Sequence, residues 1–137
     1  MVKVMMGPKG TGKTKQMIDL INTAVDNEHG NVVAIAHGSN LTFDINYKIR
    51  LIDTSEYKLP SLAHLEGFIN GRYASNYDLT HVFIESLTKI IKGVEVNHDV
   101  EEFLDWLESF SDKRGIKFTV SISADASLAS EGIRKYF

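Results

Sequence analysis

The sequence predicts an α/β fold, in which helices cover both faces of a mainly parallel sheet of about five strands. Short runs of apolar, largely β-branched residues recur along the chain, as expected of buried strands. Between these runs lie longer segments whose apolar residues recur every three or four positions, which is typical of amphipathic helices. Because strands alternate with helices, consecutive strands are expected to run parallel through right-handed crossovers.

Each element has its own signal in the sequence. Strands are predicted over residues 2–6, 32–37, 49–52, 79–85 and 116–123. Helices are predicted over residues 13–27, 61–73, 99–113 and 127–137. Ser61 is a natural N-cap, Asp99 with Glu102 has the spacing of an acidic capping box, and Gly115 ends the third helix. The mixed segment 41–48 has no clear pattern and receives no assignment.

Two of these elements supply much of the predicted core. The continuous apolar run Val82-Phe83-Ile84 indicates a central strand, because such a strand is covered on both faces. The first helix is expected to direct one apolar stripe at the sheet. That stripe comprises Met17, Leu20, Ile21, Ala24 and Val25.

A glycine-rich octapeptide, Gly-Pro-Lys-Gly-Thr-Gly-Lys-Thr, connects the first predicted strand to the first predicted helix. Its glycines accept positive φ angles, so the backbone can curl until several N–H groups point inward, where they and the helix start can hold the α- and β-phosphates of a nucleotide. Lys13 is placed to neutralise the β- and γ-phosphates, and the Thr14 hydroxyl is placed to bind Mg²⁺. The predicted nucleotide-binding residues are therefore Gly7, Pro8, Lys9, Gly10, Thr11, Gly12, Lys13 and Thr14.

With a strand before it and a helix after it, this octapeptide resembles the phosphate-binding loop, or Walker A motif, of the P-loop NTPase superfamily. The resemblance implies a three-layer domain that binds ATP and Mg²⁺, with a metal-anchoring carboxylate after a very apolar strand, the Walker B element. Glu85 follows Val82-Phe83-Ile84 and is the one residue of that form, although the family usually has the shorter Asp. Glu85 and Lys13 are the predicted catalytic residues, and Glu85 and Thr14 the predicted metal ligands.

The residue after Glu85 bears on hydrolysis. Many P-loop ATPases with an additional strand between the two motifs have a glutamate there, which polarises the attacking water. This chain has Ser86, which is not a general base at neutral pH. Either hydrolysis is slow or another acid serves, and Asp53 and Glu56 are the candidates, with capping or loop roles as the alternatives.

Few other residues are candidates for contact with the γ-phosphate. Ser123 ends the last predicted strand, where related ATPases often have a polar sensor. Thr119, Ser121 and Ser123 share one face of that strand, so the alternative is that these hydroxyls pair with a helix backbone. Arg72 and Arg134 are the arginines considered as fingers, and pairing with surface acids is the preferred interpretation for both.

Composition limits the classes of function. The chain of 137 residues is expected to form a single nucleotide-binding domain over residues 1–137. It has no cysteine, which excludes disulfides, thiol catalysis and cysteine metal sites. The net charge of −3 does not support nucleic-acid binding, which the resemblance nevertheless leaves open. The absence of a spanning apolar run and of a secretory signal leads us to expect a cytoplasmic protein with no membrane span.

Three functions are compatible with these features. The first is a Mg²⁺-dependent ATP-binding protein that resembles the recombinase-like ASCE-type ATPases, with weak or partner-activated hydrolysis; the protein partner is unidentified and a homo-oligomer is one option. The second is a small nucleoside or small-molecule kinase, since the octapeptide resembles the start of some thymidine kinases. The third is a nucleotide-dependent switch that does not hydrolyse. The absence of an Asn-Lys-x-Asp string favours ATP over GTP.

Overall fold

The computed structural model describes residues 1–38, 41 and 44–137, and it contains a five-stranded sheet in which every neighbouring pair is parallel. The strands are β1 (Val2–Gly7), β2 (Asn31–Ala36), β3 (Arg50–Asp53), β4 (Leu79–Ile84) and β5 (Lys117–Ser123). Their order across the sheet is β1-β5-β4-β2-β3, so β4 is central, as its continuous apolar run predicted. The α/β class and the parallel sheet are confirmed.

The helices are α1 (Lys13–Asn27), α2 (Leu62–Ser75), α3 (Leu87–Ile90), α4 (His98–Arg114) and α5 (Glu131–Arg134). Two short 3₁₀ turns lie at Thr54–Glu56 and Ala126–Leu128. Helix α1 has the predicted bounds, whereas α3 was not predicted because four residues carry too little periodicity. Within the described residues, no helix is both long enough and apolar enough to cross a membrane.

The terminal helix predicted over residues 127–137 is wrong over most of its length. The chain there forms a 3₁₀ turn and the short α5, separated by an extended segment. The Tyr136 carbonyl accepts a hydrogen bond from the backbone N–H of Val4 at 2.7 Å, and the Tyr136 hydroxyl donates to Asp105 in α4 at 2.6 Å. The tail is therefore held against the outer edge of β1 by tertiary contacts, which override its local helical tendency.

The predicted helix ends agree with the structure in two of three cases. The Ser61 side chain caps α2, and Gly115 ends α4 with a φ of 69°. The capping box predicted at Asp99 does not form. Helix α4 begins one residue earlier, after its N-cap Asn97, and the Asp99 carboxylate instead accepts a hydrogen bond from the N–H of Glu95 at 2.9 Å.

The two faces of the sheet have separate hydrophobic clusters. Helix α1 covers one face, where Met17 and Ile21 are buried in the same cluster as Phe83 of the central strand. Helices α2 and α4 cover the other, larger face with Leu65, Ile69, Val100, Phe103, Leu104 and Leu107. The prediction for Leu20 is wrong: it is 45% exposed and lies beside Met5, because β1 is an edge strand and the sheet does not extend beneath it.

The strand order places three loops at one edge of the sheet. Because all five strands are parallel, their carboxyl ends lie at the same edge. The strand β5 lies between β1 and β4 and is in register with both, with Gly7 opposite Ser123 and Ile84 opposite Val120. The octapeptide after β1, the acid after β4 and the end of β5 therefore meet.

Candidate functional site

The octapeptide forms a curled loop between β1 and α1. Gly10 and Gly12 have φ angles of 81° and 85°, which favour glycine. Gly7 departs from the prediction, because it ends β1 without a positive φ. Space is tight there instead, since an added Cβ would lie 3.1 Å from the Thr11 hydroxyl oxygen.

The Pro8 carbonyl is the internal anchor of the loop. It accepts hydrogen bonds from the Thr11 Oγ1 hydroxyl at 2.7 Å and from the Lys13 ammonium at 2.9 Å. The Lys13 side chain is thereby folded back over the loop. Its only hydrogen-bond partner among the described residues is this neutral carbonyl, so the charge of Lys13 is not neutralised by the protein.

The first turn of α1 faces the same space. Gly12 is its N-cap, and no side chain in the described part of the chain caps it. The first helical hydrogen bond runs from the Gln16 N–H to the Gly12 carbonyl at 3.1 Å, so the N–H groups before Gln16 have no acceptor within the helix. These donors and the positive end of a 15-residue helix form an environment that favours an anion.

Glu85 lies directly beside this loop. The Thr14 hydroxyl donates to Glu85 Oε1 at 3.2 Å, and this contact joins residues that are 71 positions apart in the chain. The backbone of Glu85 is held by a hydrogen bond from its N–H to the Ile35 carbonyl at 2.8 Å. Glu85 is positioned by the strand that precedes it, because the last three residues of β4 are almost completely buried between neighbouring strands and both helix layers.

Ser86 is buried and belongs to the floor of the site. It is 2% exposed, and its φ of 58° makes it the one described non-glycine residue with a positive φ. Its N–H donates to the Ser121 hydroxyl at 2.7 Å, and its own hydroxyl lies 3.4 Å from that of Ser123. Thr119 pairs with His81 at 2.9 Å. Ser121 therefore pairs with the backbone of Ser86, the N-cap of α3, much as the alternative predicted, whereas Thr119 and Ser123 contact side chains.

These groups enclose a cavity of about 350 Å³. It is lined by Lys9, Gly10, Gly12, Lys13, Thr14, Glu85, Ser86, Lys89 and Ser123. The charged side chains in this lining are three lysines and one glutamate, so the cavity has a net positive charge. Lys89 was missed by the sequence reasoning, because its only signal is its place soon after Glu85, and the helix α3 that holds it was not predicted.

The two candidate replacement bases lie elsewhere. The Asp53 carboxylate accepts hydrogen bonds from the Ser55 hydroxyl at 2.7 Å, the Ser55 N–H at 2.9 Å and the Gly38 N–H at 2.7 Å. The hydrogen bond from the Ser55 hydroxyl, supported by the two backbone donors, lowers the pKa of Asp53. Asp53 therefore organises the turn after β3, and neither it nor the exposed Glu56 is among the described residues lining the cavity.

The candidate arginines also lie outside the cavity lining. Arg134 donates to the backbone carbonyls of Ala126, Ser127 and Ala129 at 2.9 to 3.1 Å, and so holds the C-terminal tail in place. This role differs from the predicted pairing with an acid. Arg72 lies in the last turn of α2 and is not among the described residues that line the cavity.

The oxygen ligands present at the site fit a magnesium ion that is bound together with phosphate. The Thr14 hydroxyl and the Glu85 carboxylate are hard oxygen ligands that already lie within hydrogen-bond distance of each other. In the described ranges, no group of three or more histidine, aspartate or glutamate side chains is arranged to hold a metal. A site with few protein ligands suits Mg²⁺, which keeps several waters and shares phosphate oxygens with its substrate.

Comparisons with known proteins assign no family. No protein-family model matches the chain, and the search of curated proteins finds no match. The features that bear on function are those of the site itself: a cationic, glycine-rich loop, a helix start, and one carboxylate that contacts the loop through Thr14.

Proposed function

We propose that this chain is a Mg²⁺-dependent ATP-binding P-loop protein whose hydrolysis is weak or depends on a partner. The observation that carries the proposal is the contact between Thr14 and Glu85, at 3.2 Å. The sequence singled out these two residues separately, one from the octapeptide and one from the apolar strand. A chance glycine-rich turn would not be expected to meet the acid after β4 beside a cationic cavity.

The loop and the start of α1 would hold the phosphates. The helix N–H groups without an acceptor would bind the oxygens of the α- and β-phosphates, as helix starts bind anions elsewhere. Lys13 would exchange its hydrogen bond with the Pro8 carbonyl for the more highly charged β- and γ-phosphates. The loop can make this exchange without unfolding, because Thr11 also holds the Pro8 carbonyl.

Thr14 and Glu85 would hold the metal. When bound there, Mg²⁺ supplies charge neutralisation at the β- and γ-phosphate oxygens. Glu85 is positioned for this role by its backbone hydrogen bond to β2 and by the buried residues that precede it. Its side chain is one methylene longer than the usual Asp, so its carboxylate would reach further toward the metal.

The strand order supports the recombinase-like form of the proposal. In this sheet β5 is inserted between β1, which precedes the loop, and β4, which precedes Glu85. An inserted strand between these two motifs is typical of the ATPases that the chain resembles. Here that strand is β5, whereas the strands predicted at 32–37 and 49–52 lie on the other side of β4 as β2 and β3. The two separate hydrophobic clusters, one on each face of the sheet, agree with three layers.

The polar lining of the cavity supports slow hydrolysis. Glu85 is the one carboxylate among the described lining residues, and a carboxylate engaged with the metal is a poor base. Ser86 is buried and its hydroxyl faces Ser123, so it offers no substitute. The same observation also favours the third of the functions predicted from the sequence, a switch that binds nucleotide and does not hydrolyse it. The two functions differ in their response to a partner: a partner that supplies an acid to the cavity would activate hydrolysis in the ATPase, and the switch would have no such partner.

The first experiment is calorimetric titration of the purified chain with ATP, ADP and GTP, with and without Mg²⁺, followed by phosphate release from the same sample. Mg²⁺-dependent ATP binding with slow phosphate release is the expected result. Tight binding without release identifies the switch, and transfer of phosphate to an added nucleoside identifies the kinase alternative. The proposal is contradicted if none of the three nucleotides binds.

A further inference from the structure

We infer that Lys89 is a second phosphate-binding lysine. It contacts the γ-phosphate of ATP from the β4 side of the cavity, and this contact gives the site its preference for triphosphate over diphosphate. The inference rests on the proposed function and adds a residue to it. Neither Arg72 nor Arg134 is among the described residues that line the cavity, so Lys89 is the additional cation that this chain itself offers to that phosphate.

The backbone after β4 directs Lys89 to the cavity. The positive φ of Ser86 turns the chain sharply, and α3 follows at once. Two side chains of α3, Leu87 and Ile90, are buried in the larger hydrophobic cluster and fix the orientation of this short helix. The Lys89 N–H donates to the Ser86 carbonyl at 2.9 Å, and the Lys89 side chain is left exposed along the cavity wall.

The charges around the cavity are unbalanced. Among the described residues that line it, Lys9, Lys13 and Lys89 face Glu85 as the single counter-charge. The ion pairs found among the described residues involve the N-terminus and other cations, and none includes these three lysines. Lysines that share a small cavity repel each other, and a polyanion removes that repulsion while gaining three favourable partners.

The position of Lys89 in the cavity indicates a contact with the γ-phosphate of ATP. The loop N–H groups lie on the β1 and α1 side, where they would meet the α- and β-phosphates, and Lys13 would reach the β- and γ-phosphates from that same side. Lys89 follows Glu85 by four positions in the chain. It lines the same cavity as Glu85 and Ser86, and Glu85 belongs to the proposed metal site. The alternative role, a lysine that complements the dipole of α3, has little force because a helix of four residues has a small dipole.

The test is the ratio of ADP to ATP dissociation constants, measured with Mg²⁺ for the wild type, Lys89→Ala, Lys89→Arg and the control Lys92→Ala. Lys92 is an exposed lysine three residues further on that lines a different cavity. Lys89→Ala is expected to weaken ATP binding about tenfold and to change ADP binding less than about twofold. Lys89→Arg should retain most of the ATP affinity, and Lys92→Ala should match the wild type.

The outcomes separate the inference from the proposed function. A Lys89→Ala protein that melts at the wild-type temperature and keeps the wild-type ratio overturns the inference alone. Equal weakening of ATP and ADP also overturns it, because ADP has no γ-phosphate for Lys89 to contact. Failure of the wild type to bind either nucleotide overturns the proposed function, and the inference with it.

Discussion

The two ends of the central strand β4 differ in whether their charged groups are paired within the protein. At its amino end, the His81 ring stacks on Phe83 with centroids 4.1 Å apart, and its Nε2 pairs with the Thr119 hydroxyl at 2.9 Å. Beside them, Lys117 donates to the Glu28 carboxylate at 2.7 Å, and the Glu28 side chain is only 9% exposed. The charged groups at this end have their partners within the protein.

At the carboxyl end of β4 the charged groups face a cavity instead. Glu85 contacts Thr14, while Lys9, Lys13 and Lys89 have no carboxylate partner among the described residues. Internal pairing stabilises a fold, whereas unpaired cations around a cavity add no stability and repel one another. The pairing at the amino end of β4 therefore stabilises the fold, whereas the cations at the carboxyl end remain unpaired among the described residues, as the proposed binding of an anion requires.

The largest expected effect is at the carboxyl end. Lys13→Ala should weaken ATP binding by about a hundredfold or more, because it removes a charge-assisted contact with two phosphates. Its free energy of unfolding should change by less than about 0.5 kcal/mol, because Lys13 has no charged partner in the fold. Calorimetric titration and thermal melting measure the two quantities. Lys15→Ala, an exposed lysine of α1 outside the cavity lining, is the matched control.

The amino end should respond to acid, because burial lowers the pKa of His81 from 6.5 to about 4. Between these values the unfolded chain binds a proton that the folded chain does not, so the free energy of unfolding falls as the pH drops from about 6.5 to 4. This group contributes at most about 3 kcal/mol to that fall. Among its charged neighbours, Glu28 raises the pKa of His81, whereas Lys117 and the N-terminus lower it.

Chemical denaturation at several pH values measures this dependence. His81→Phe keeps an aromatic ring against Phe83 and removes the titration, so the slope between pH 6.5 and 4 should be shallower in the variant than in the wild type. Equal slopes in the two proteins would show that His81 is not the group responsible.

A smaller effect is expected from Glu85→Gln, which keeps the shape of the side chain and its hydrogen bond with Thr14 but removes the charge. ATP binding measured with Mg²⁺ should weaken about tenfold, while binding without Mg²⁺ should not weaken, because the variant loses only the metal ligand. Glu56→Gln, at an exposed carboxylate outside the described cavity lining, should behave as the wild type. An unchanged magnesium dependence in Glu85→Gln would exclude Glu85 as the metal-binding residue.

The smallest effect is expected at the amino end, from Lys117→Met. Removing the partner of the mostly buried Glu28 should lower the free energy of unfolding by about 1 kcal/mol at neutral pH. Nucleotide affinity should stay at the wild-type value, since the pair lies at the other end of the sheet. A loss of ATP binding in this variant would contradict the division of roles between the two ends.

Much of the scaffold around the site could be predicted from local patterns. The bounds of α1 follow from its apolar period, and the central position of β4 follows from Val82-Phe83-Ile84. The octapeptide, Glu85 and Ser123 were singled out for the same reason, because each depends on residues within one turn or one strand. Leu20 was misassigned because its burial depends on how far the sheet extends beneath α1.

By itself the sequence determined the α/β class, the parallel strands, the loop that is rich in glycine and lysine, and the acid that follows β4. Only the tertiary structure decided that β5 lies between β1 and β4, that Asp53 serves a turn, and that Lys89 reaches the cavity. The physical reason is one of range. Helix period and strand hydrophobicity are local properties, whereas strand order and the lining of a cavity depend on contacts between residues far apart in the chain.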